Sequence, residues 1–184
     1  MQDIKWLSEI LDEDVELVGK DCYDLSRLYK AKYPVANGFC ISKNAWKRNL
    51  ANNGAKHKID NLLSQANITS KEALSLIANE VRSVINNIDV EASLRKEIND
   101  AYSNMNISTE LHGLMNSGAI SLIKAGRENS YVVVSSSISH GLVNGASVYS
   151  LKGIDSIMTG IRKCLADSVN GDVIEMTLRN QLKE

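Results

Sequence analysis

The sequence predicts an α+β (α/β) fold: a small, mostly buried sheet flanked by helices and carrying an inserted helical subdomain. Three observations predict it. Tyr131-Val132-Val133-Val134 is continuous and β-branched, the pattern of a central strand buried on both faces. Residues 56–105 carry only helical periodicity, with no strand candidate among them. On either side of that block, short extended runs are each followed by a run of helical spacing, which places strands and helices in one unit. A length of 184 residues suits a single domain, since folded units cluster at about 100–150 residues. Residues 1–55 and 111–184 then form an α/β core, and 56–110 form the helical insertion.

Taken in order, Val15-Glu16-Leu17-Val18 reads as a short strand entering a turn at Gly19-Lys20. Cys22, Leu25, Leu28 and Tyr29 then recur at helical spacing. Pro34 to Ser42 is a second extended piece, with Asn37-Gly38 as its turn signal. Ser42 caps a helix that runs to the breaker Asn52-Asn53-Gly54. In the helical block Ile59, Leu62 and Leu63 mark one short helix. Thr69 and Glu72 stand at capping-box spacing ahead of the stripe Ala73, Leu76, Ile77, Val81, Val84, Ile85 and Ile88. Asp89 is the expected cap of the next helix, whose inner face is Leu94, Ile98, Ala101, Tyr102 and Met105. Residues 111–130 read as a glycine-bearing connection. Val148 to Leu151 is a further strand, Ile154 to about Ser168 a helix, and 171–182 a last helix.

Hydrophobic residues make up 43% and charged residues 23% of the chain, close to globular averages, so neither a disordered nor a fibrous class fits. The net charge is −1, with Lys and Arg scattered. That leaves no electrostatic footprint for nucleic acid or an anionic membrane, and both are discounted as partners. No apolar run reaches the roughly 20 residues that cross a bilayer. The amino-terminal segment is acidic and interrupted rather than a signal peptide, so the chain reads as cytoplasmic. Cys22, Cys40 and Cys164 are far apart and lack a CxxC spacing, which suggests neither a disulfide framework nor a zinc site.

Two places could hold chemistry. A glycine turn opening a helix aims backbone amides and the positive end of the helix at an anion, so Gly19-Lys20 is a candidate phosphate contact. Asp21 and Asp24 oppose it unless a magnesium ion intervenes. The second is Ser135 to Ser147, where a strand empties into a polar, glycine-bearing loop whose hydroxyls can donate to phosphate oxygens. His57, His112 and His140 share no ligand spacing, and no HExxH or GxSxG motif occurs.

Four segments, in order, resemble the amino-terminal ATP-binding region of the phosphoenolpyruvate synthase / pyruvate phosphate dikinase family. LVGKDCYDLSRL is similar to the family's glycine-lysine turn and helix, and YPVANGFCISKNAWKRNL to its proline-valine-proline-x-glycine-phenylalanine strand and following helix. VVVSSSISHGLVNGASV aligns without a gap on the family's V-A-V-R-S-S-A-T segment and the glycine-alanine-serine loop after it. GIDSIMTGIRKCLADSV is similar to the helix that follows.

The resemblance implies the first part of an ATP-grasp-like fold that binds ATP with Mg²⁺. It implies cofactor contacts at Lys20, Ser136, Ser137, Gly145, Ala146 and Ser147. Departures from the pattern also stand out. The expected arginine is Ser135, the acidic pair falls on Gly141 and Leu142, and the loop's closing glycine-glutamine falls on Ser150-Leu151. The glycine after the lysine is Asp21. The second half of the family's site and its histidine and pyruvate domains are not among these 184 residues. The resemblance therefore implies a weakened nucleotide-binding module without catalysis of its own. The alternatives are an interaction or regulatory module that lost the chemistry, and one chain of a split phosphotransferase completed by a protein partner.

Overall fold

The computed structural model describes residues 3–66, 70–105, 130–137 and 145–181. The fold is α+β, mostly helical, with two small antiparallel sheets among the described residues. In the first sheet β1 (Ile4–Trp6) pairs with β2 (Phe39–Ile41), with Ile4 opposite Ile41 and Trp6 opposite Phe39. In the second, β3 (Val132–Ser135) pairs with β4 (Ser147–Leu151), with Ser135 opposite Ser147. The register of this ladder shifts between Val132 and Val134, where Ser150 takes a left-handed φ of 58°.

A 3-10 turn, Asp12–Asp14, leads into α1 (Val15–Val18), and α2 (Lys20–Lys30) follows directly. Val15 to Val18 is thus a single helical turn and not the expected strand. The Gly19 amide closes that turn on the Val15 carbonyl at 2.9 Å. A four-residue segment, Val-Glu-Leu-Val, is too short for its period to tell the two apart.

Ser42 caps α3 (Lys43–Asn52) as expected, accepting the Ala45 amide at 3.2 Å. Past the Asn53-Gly54 break come α4 (Ala55–Ser64) and α5 (Lys71–Asn86). The cap of α5 is Ser70, whose hydroxyl accepts the Ala73 amide; Thr69 lies outside the described residues. For α6 (Ala92–Asn104) the N-cap is Glu91, without a side-chain cap, in place of Asp89. The reason is Asn49, which is fully buried. Its amide donates to the Asp89 carbonyl at 3.3 Å and its oxygen accepts the Glu91 amide at 2.8 Å, so the entry to α6 is set from α3.

One core joins Ile4, Ala45, Leu94, Ile98, Ala101, Tyr102, Ile157, Met158 and Ile161, drawing β1, α3, α6 and α7 (Ile154–Asp167) together. A second joins Leu74, Ala78, Val81 and Ile85 of α5 to Ala166 of α7 and Ile174 of α8 (Gly171–Gln181); of the expected stripe Val81 and Ile85 are buried in it, whereas Leu76 is 65% exposed and Leu74 and Ala78 take the inner face. Val132 and Val134 pack on the first core. Val133, however, is 54% exposed and Tyr131 70%, so β3 buries one face rather than the two its apolar run predicts. Its ladder partner among the described residues is β4 alone, and Tyr149 of β4, like Val133, is more than half exposed. The expected connection at 111–129 lies outside the described residues. No described helix is long and apolar enough to cross a membrane.

Candidate functional site

The amino end of α2 is built on Gly19. With φ at 81° and ψ at 157°, this residue occupies backbone space essentially reserved for glycine. Having no side chain, it cannot cap the helix, and the first amides of a helix have no partner within it. Ser137 supplies one: its Oγ accepts the Cys22 amide at 3.1 Å. The approach is close. A methyl group on Gly19 would lie 2.9 Å from the Ser137 carbonyl oxygen and closer still to its hydroxyl, so both the turn and the contact require glycine.

Lys20 is the first residue of α2. Its Nζ is paired with the Asp24 carboxylate one turn on, and both side chains are largely exposed. Asp21 is acidic in the same first turn.

The facing surface is the end of the β3–β4 hairpin. Ser135 and Ser147 are directly opposite, with their hydroxyl oxygens 2.8 Å apart. Ser136 donates its amide to the Ala146 carbonyl and accepts the Ala146 amide on its hydroxyl, both at 2.9 Å. Gly145 passes so near that a methyl group there would stand 2.6 Å from the Ser136 carbonyl oxygen. From below, α7 anchors the hairpin: Ser168 Oγ lies 2.7 Å from Ser136 Oγ, and the buried Cys164 thiol donates to the Ala146 carbonyl at 2.8 Å. Burial pushes the Cys164 thiol above its ordinary pKa.

Of the expected contacts, then, Ser136, Ser137, Gly145, Ala146 and Ser147 form one contiguous patch. Lys20 is carried on the helix whose amino end Ser137 caps. Gly141 and Leu142 lie outside the described residues, as do His112 and His140. Gly19, Cys164 and Ser168 hold the patch together; Gly19 was singled out with Lys20 as a turn, whereas Cys164 and Ser168 were not read as part of the site. Ser168 closes a helix with no motif to mark it, and only the glycine before Lys20 carried a local signal.

Chemically, the patch offers a helix amino end and several hydroxyls, with Ser135 adding no charge where an arginine would. Among the described residues no three His, Cys, Asp or Glu side chains gather closely enough to hold a metal ion. Asp24 is already engaged by Lys20. The described residues therefore form no ready-made cation cage, and the carboxylates nearest the amino end of α2 are Asp21 and Asp24. A hollow lined by Asn53, Lys58, Ser83, Asn87 and Asp89 lies on the α4–α5 side of the molecule and includes none of these residues.

A glycine turn opening a helix, capped by a serine from the β3–β4 end, gives an α+β module one continuous surface built from both regions. The profile of the family described as "Pyruvate phosphate dikinase, AMP/ATP-binding domain" matches residues 15–184, and the chain belongs to that family. It is similar to a probable phosphoenolpyruvate synthase of Methanocaldococcus jannaschii, 27% identical over 105 residues, covering 57% of this chain and 9% of that protein. It is also similar to a probable phosphoenolpyruvate synthase of Staphylothermus marinus, 30% identical over 99 residues (54% and 12%). A phosphoenolpyruvate synthase of Helicobacter pylori is 29% identical over 106 residues (55% and 13%). The matched stretch is thus about a tenth of the length of these relatives.

Proposed function

We propose that this module binds ATP weakly, with the phosphates over the amino end of α2 and the serine-lined end of the β3–β4 hairpin, and does not transfer a phosphoryl group by itself. The Gly19–Ser137 contact supports this reading. It brings the glycine-lysine turn and the Ser135–Ser137 segment, 115 positions apart, onto one surface. The Asp24 carboxylate competes for Lys20, but an exposed pair one helical turn apart is worth only about 0.3–0.5 kcal/mol. A phosphate can displace it at small cost.

Two features weaken the site. A phosphate contact from an arginine is worth about 1.5–3 kcal/mol, so Ser135 lowers affinity roughly 10–100-fold against an arginine there. Asp21 places a further negative charge at the helix end that must receive the phosphates. Calorimetric titration with Mg-ATP tests the reading. Binding near 1 mM, weakened several-fold in Lys20→Ala and tightened about tenfold or more in Ser135→Arg, is expected. Heat that is absent at millimolar nucleotide, or unchanged in Lys20→Ala, rejects it.

A second reading rests on the outer face of the same hairpin. Tyr131, Val133 and Tyr149 are each more than half exposed, and an apolar surface of this kind suits a protein partner that completes the site. Analytical ultracentrifugation and pull-down from the source cell test it. A Val133→Lys variant that keeps every recovered partner rejects it.

A further inference from the structure

A serine hydroxyl carries one proton and two lone pairs, so the direction of each hydrogen bond at the hairpin end decides what the patch can offer a ligand. Ser136 is the informative case. Its Oγ accepts the Ala146 amide at 2.9 Å and the Ser168 hydroxyl at 2.7 Å, which occupies both lone pairs. The Ser168 proton has the Cys164 carbonyl, 2.8 Å away, as its second acceptor. The Ser136 proton is left with the Ala146 carbonyl at 3.4 Å, beyond the usual range of an O–H···O bond. That carbonyl is already engaged by the Ser136 amide at 2.9 Å and by the Cys164 thiol at 2.8 Å. Ser136 is therefore an obligatory donor without a good acceptor among the described residues. Resting on the reading that phosphates lie over the hairpin end, we propose that Ser168 is a positioning residue for that site. By donating to Ser136 from α7, it commits the Ser136 hydroxyl to a ligand that only accepts, a deprotonated phosphoryl group.

The neighbouring hydroxyls share this bias. Ser137 accepts the Cys22 amide, and its own proton has no acceptor among the described residues. Ser135 and Ser147 carry one proton each, and the single bond between their oxygens uses one of the two. One proton from Ser136, one from Ser137 and one from the Ser135–Ser147 pair are thus available to a ligand, while the filled Ser136 oxygen has no lone pair for a cation or an N–H donor. Hydrogen bonds to an ionised acceptor are about twice as strong as neutral ones. A phosphoryl oxygen is accordingly a better partner for the Ser136 proton than the crowded Ala146 carbonyl. Ser168 stands at the C-cap of α7, 32 positions from Ser136 in sequence, and acts on the ligand only through Ser136.

Calorimetric titrations of the intact protein with inorganic tripolyphosphate and with Mg-ATP test the assignment. Ser136→Ala and Ser168→Ala should each weaken tripolyphosphate binding about fivefold, the effect of losing one hydrogen bond. The double variant should also lose about fivefold, against the roughly 25-fold of two independent sites. Ser168→Thr, which restores the hydroxyl, should return most of the lost affinity. A role confined to the end of α7 would lower the urea midpoint of Ser168→Ala and leave its affinity unmoved. Ser168→Cys, close in size and only a weak donor, takes the place of Ser168→Ala if that variant fails to fold. The proposal is overturned if the variant at 168 binds like wild type, or if the two losses multiply in the double variant. Wild type that binds tripolyphosphate but not Mg-ATP, with the coupling of Ser136 and Ser168 intact, rejects the nucleotide reading alone. Binding of both without coupling rejects this proposal alone, and binding of neither rejects both.

Discussion

Ser137 Oγ accepts the backbone amide of Cys22 at 3.1 Å across 115 positions of sequence. The amino end of α2 is therefore capped from the far end of the chain, and its own N-cap, Gly19, serves by leaving room. The same bond has two effects: it replaces a missing local cap, and it fixes where the serine segment after β3 lies. Stability and the candidate site thus share one hydrogen bond.

Gly19→Ala should lower the unfolding free energy by about 2–6 kcal/mol. Roughly 1–3 of this comes from a backbone conformation reserved for glycine, and about 1–3 from crowding against Ser137. Ser137→Ala should cost about 0.5–2 kcal/mol as a lost cap. In the Ser137→Ala background the Gly19→Ala loss should shrink without vanishing, because the backbone conformation is unchanged. Urea midpoints at constant slope measure all three. A Gly19→Ala loss under about 1 kcal/mol contradicts the contact.

Tyr102 is buried in α6, and its hydroxyl donates to the Ser130 carbonyl at 2.6 Å and accepts the Gly153 amide at 3.1 Å. It therefore grips the backbone just before β3 and just after β4. Tyr102→Phe should cost about 1–3 kcal/mol, the penalty of leaving buried polar groups without a partner. Amide exchange at Gly153 should quicken with it. Unchanged exchange at that amide would show the hydroxyl to be dispensable.

The Asp14 carboxyl is held below its ordinary value of 3.8, first by the Lys5 ammonium at 2.5 Å and then by the Leu11 amide. A carboxyl depressed in the folded state stabilises above its unfolded pKa, and loses that contribution as pH falls through the folded one. Wild type should therefore exceed Asp14→Asn in urea midpoint by a constant amount from neutrality down to about pH 4, and the gap should close only below that. A gap that closes above pH 5 contradicts the assignment.

What sequence revealed and what it hid divide along one physical line. Elements fixed by local periodicity were legible: Ser42 as the cap of α3, Val81 and Ile85 of the α5 stripe, and the α7 helix from Ile154 to about Ser168. Elements defined by remote partners were not. Ile4–Trp6 is a strand only because β2 lies beside it. Asp89 does not cap α6 because Asn49 and Asn53 take its carbonyl. The apolar run at β3 promised burial on both faces, yet Val132 and Val134 pack on the core while Val133, on the other face, is 54% exposed. The serine patch was legible from a polar loop after a strand and from the family likeness. Its supports, Gly19, Cys164 and Ser168, act across distances that no local pattern encodes.

Gly160 of α7 is buried, and the space its missing side chain leaves is filled by Leu151 of β4. A single missing methyl thus works as a spacer gauge between helix and hairpin. Leu151 sits at one end of β4 and Ser147 at the other, so a bulkier residue at 160 would lever the strand about its anchored serine end. Drift at an interior helix position could in this way reshape the hydroxyl-bearing rim of the hairpin while every residue of that rim stayed the same.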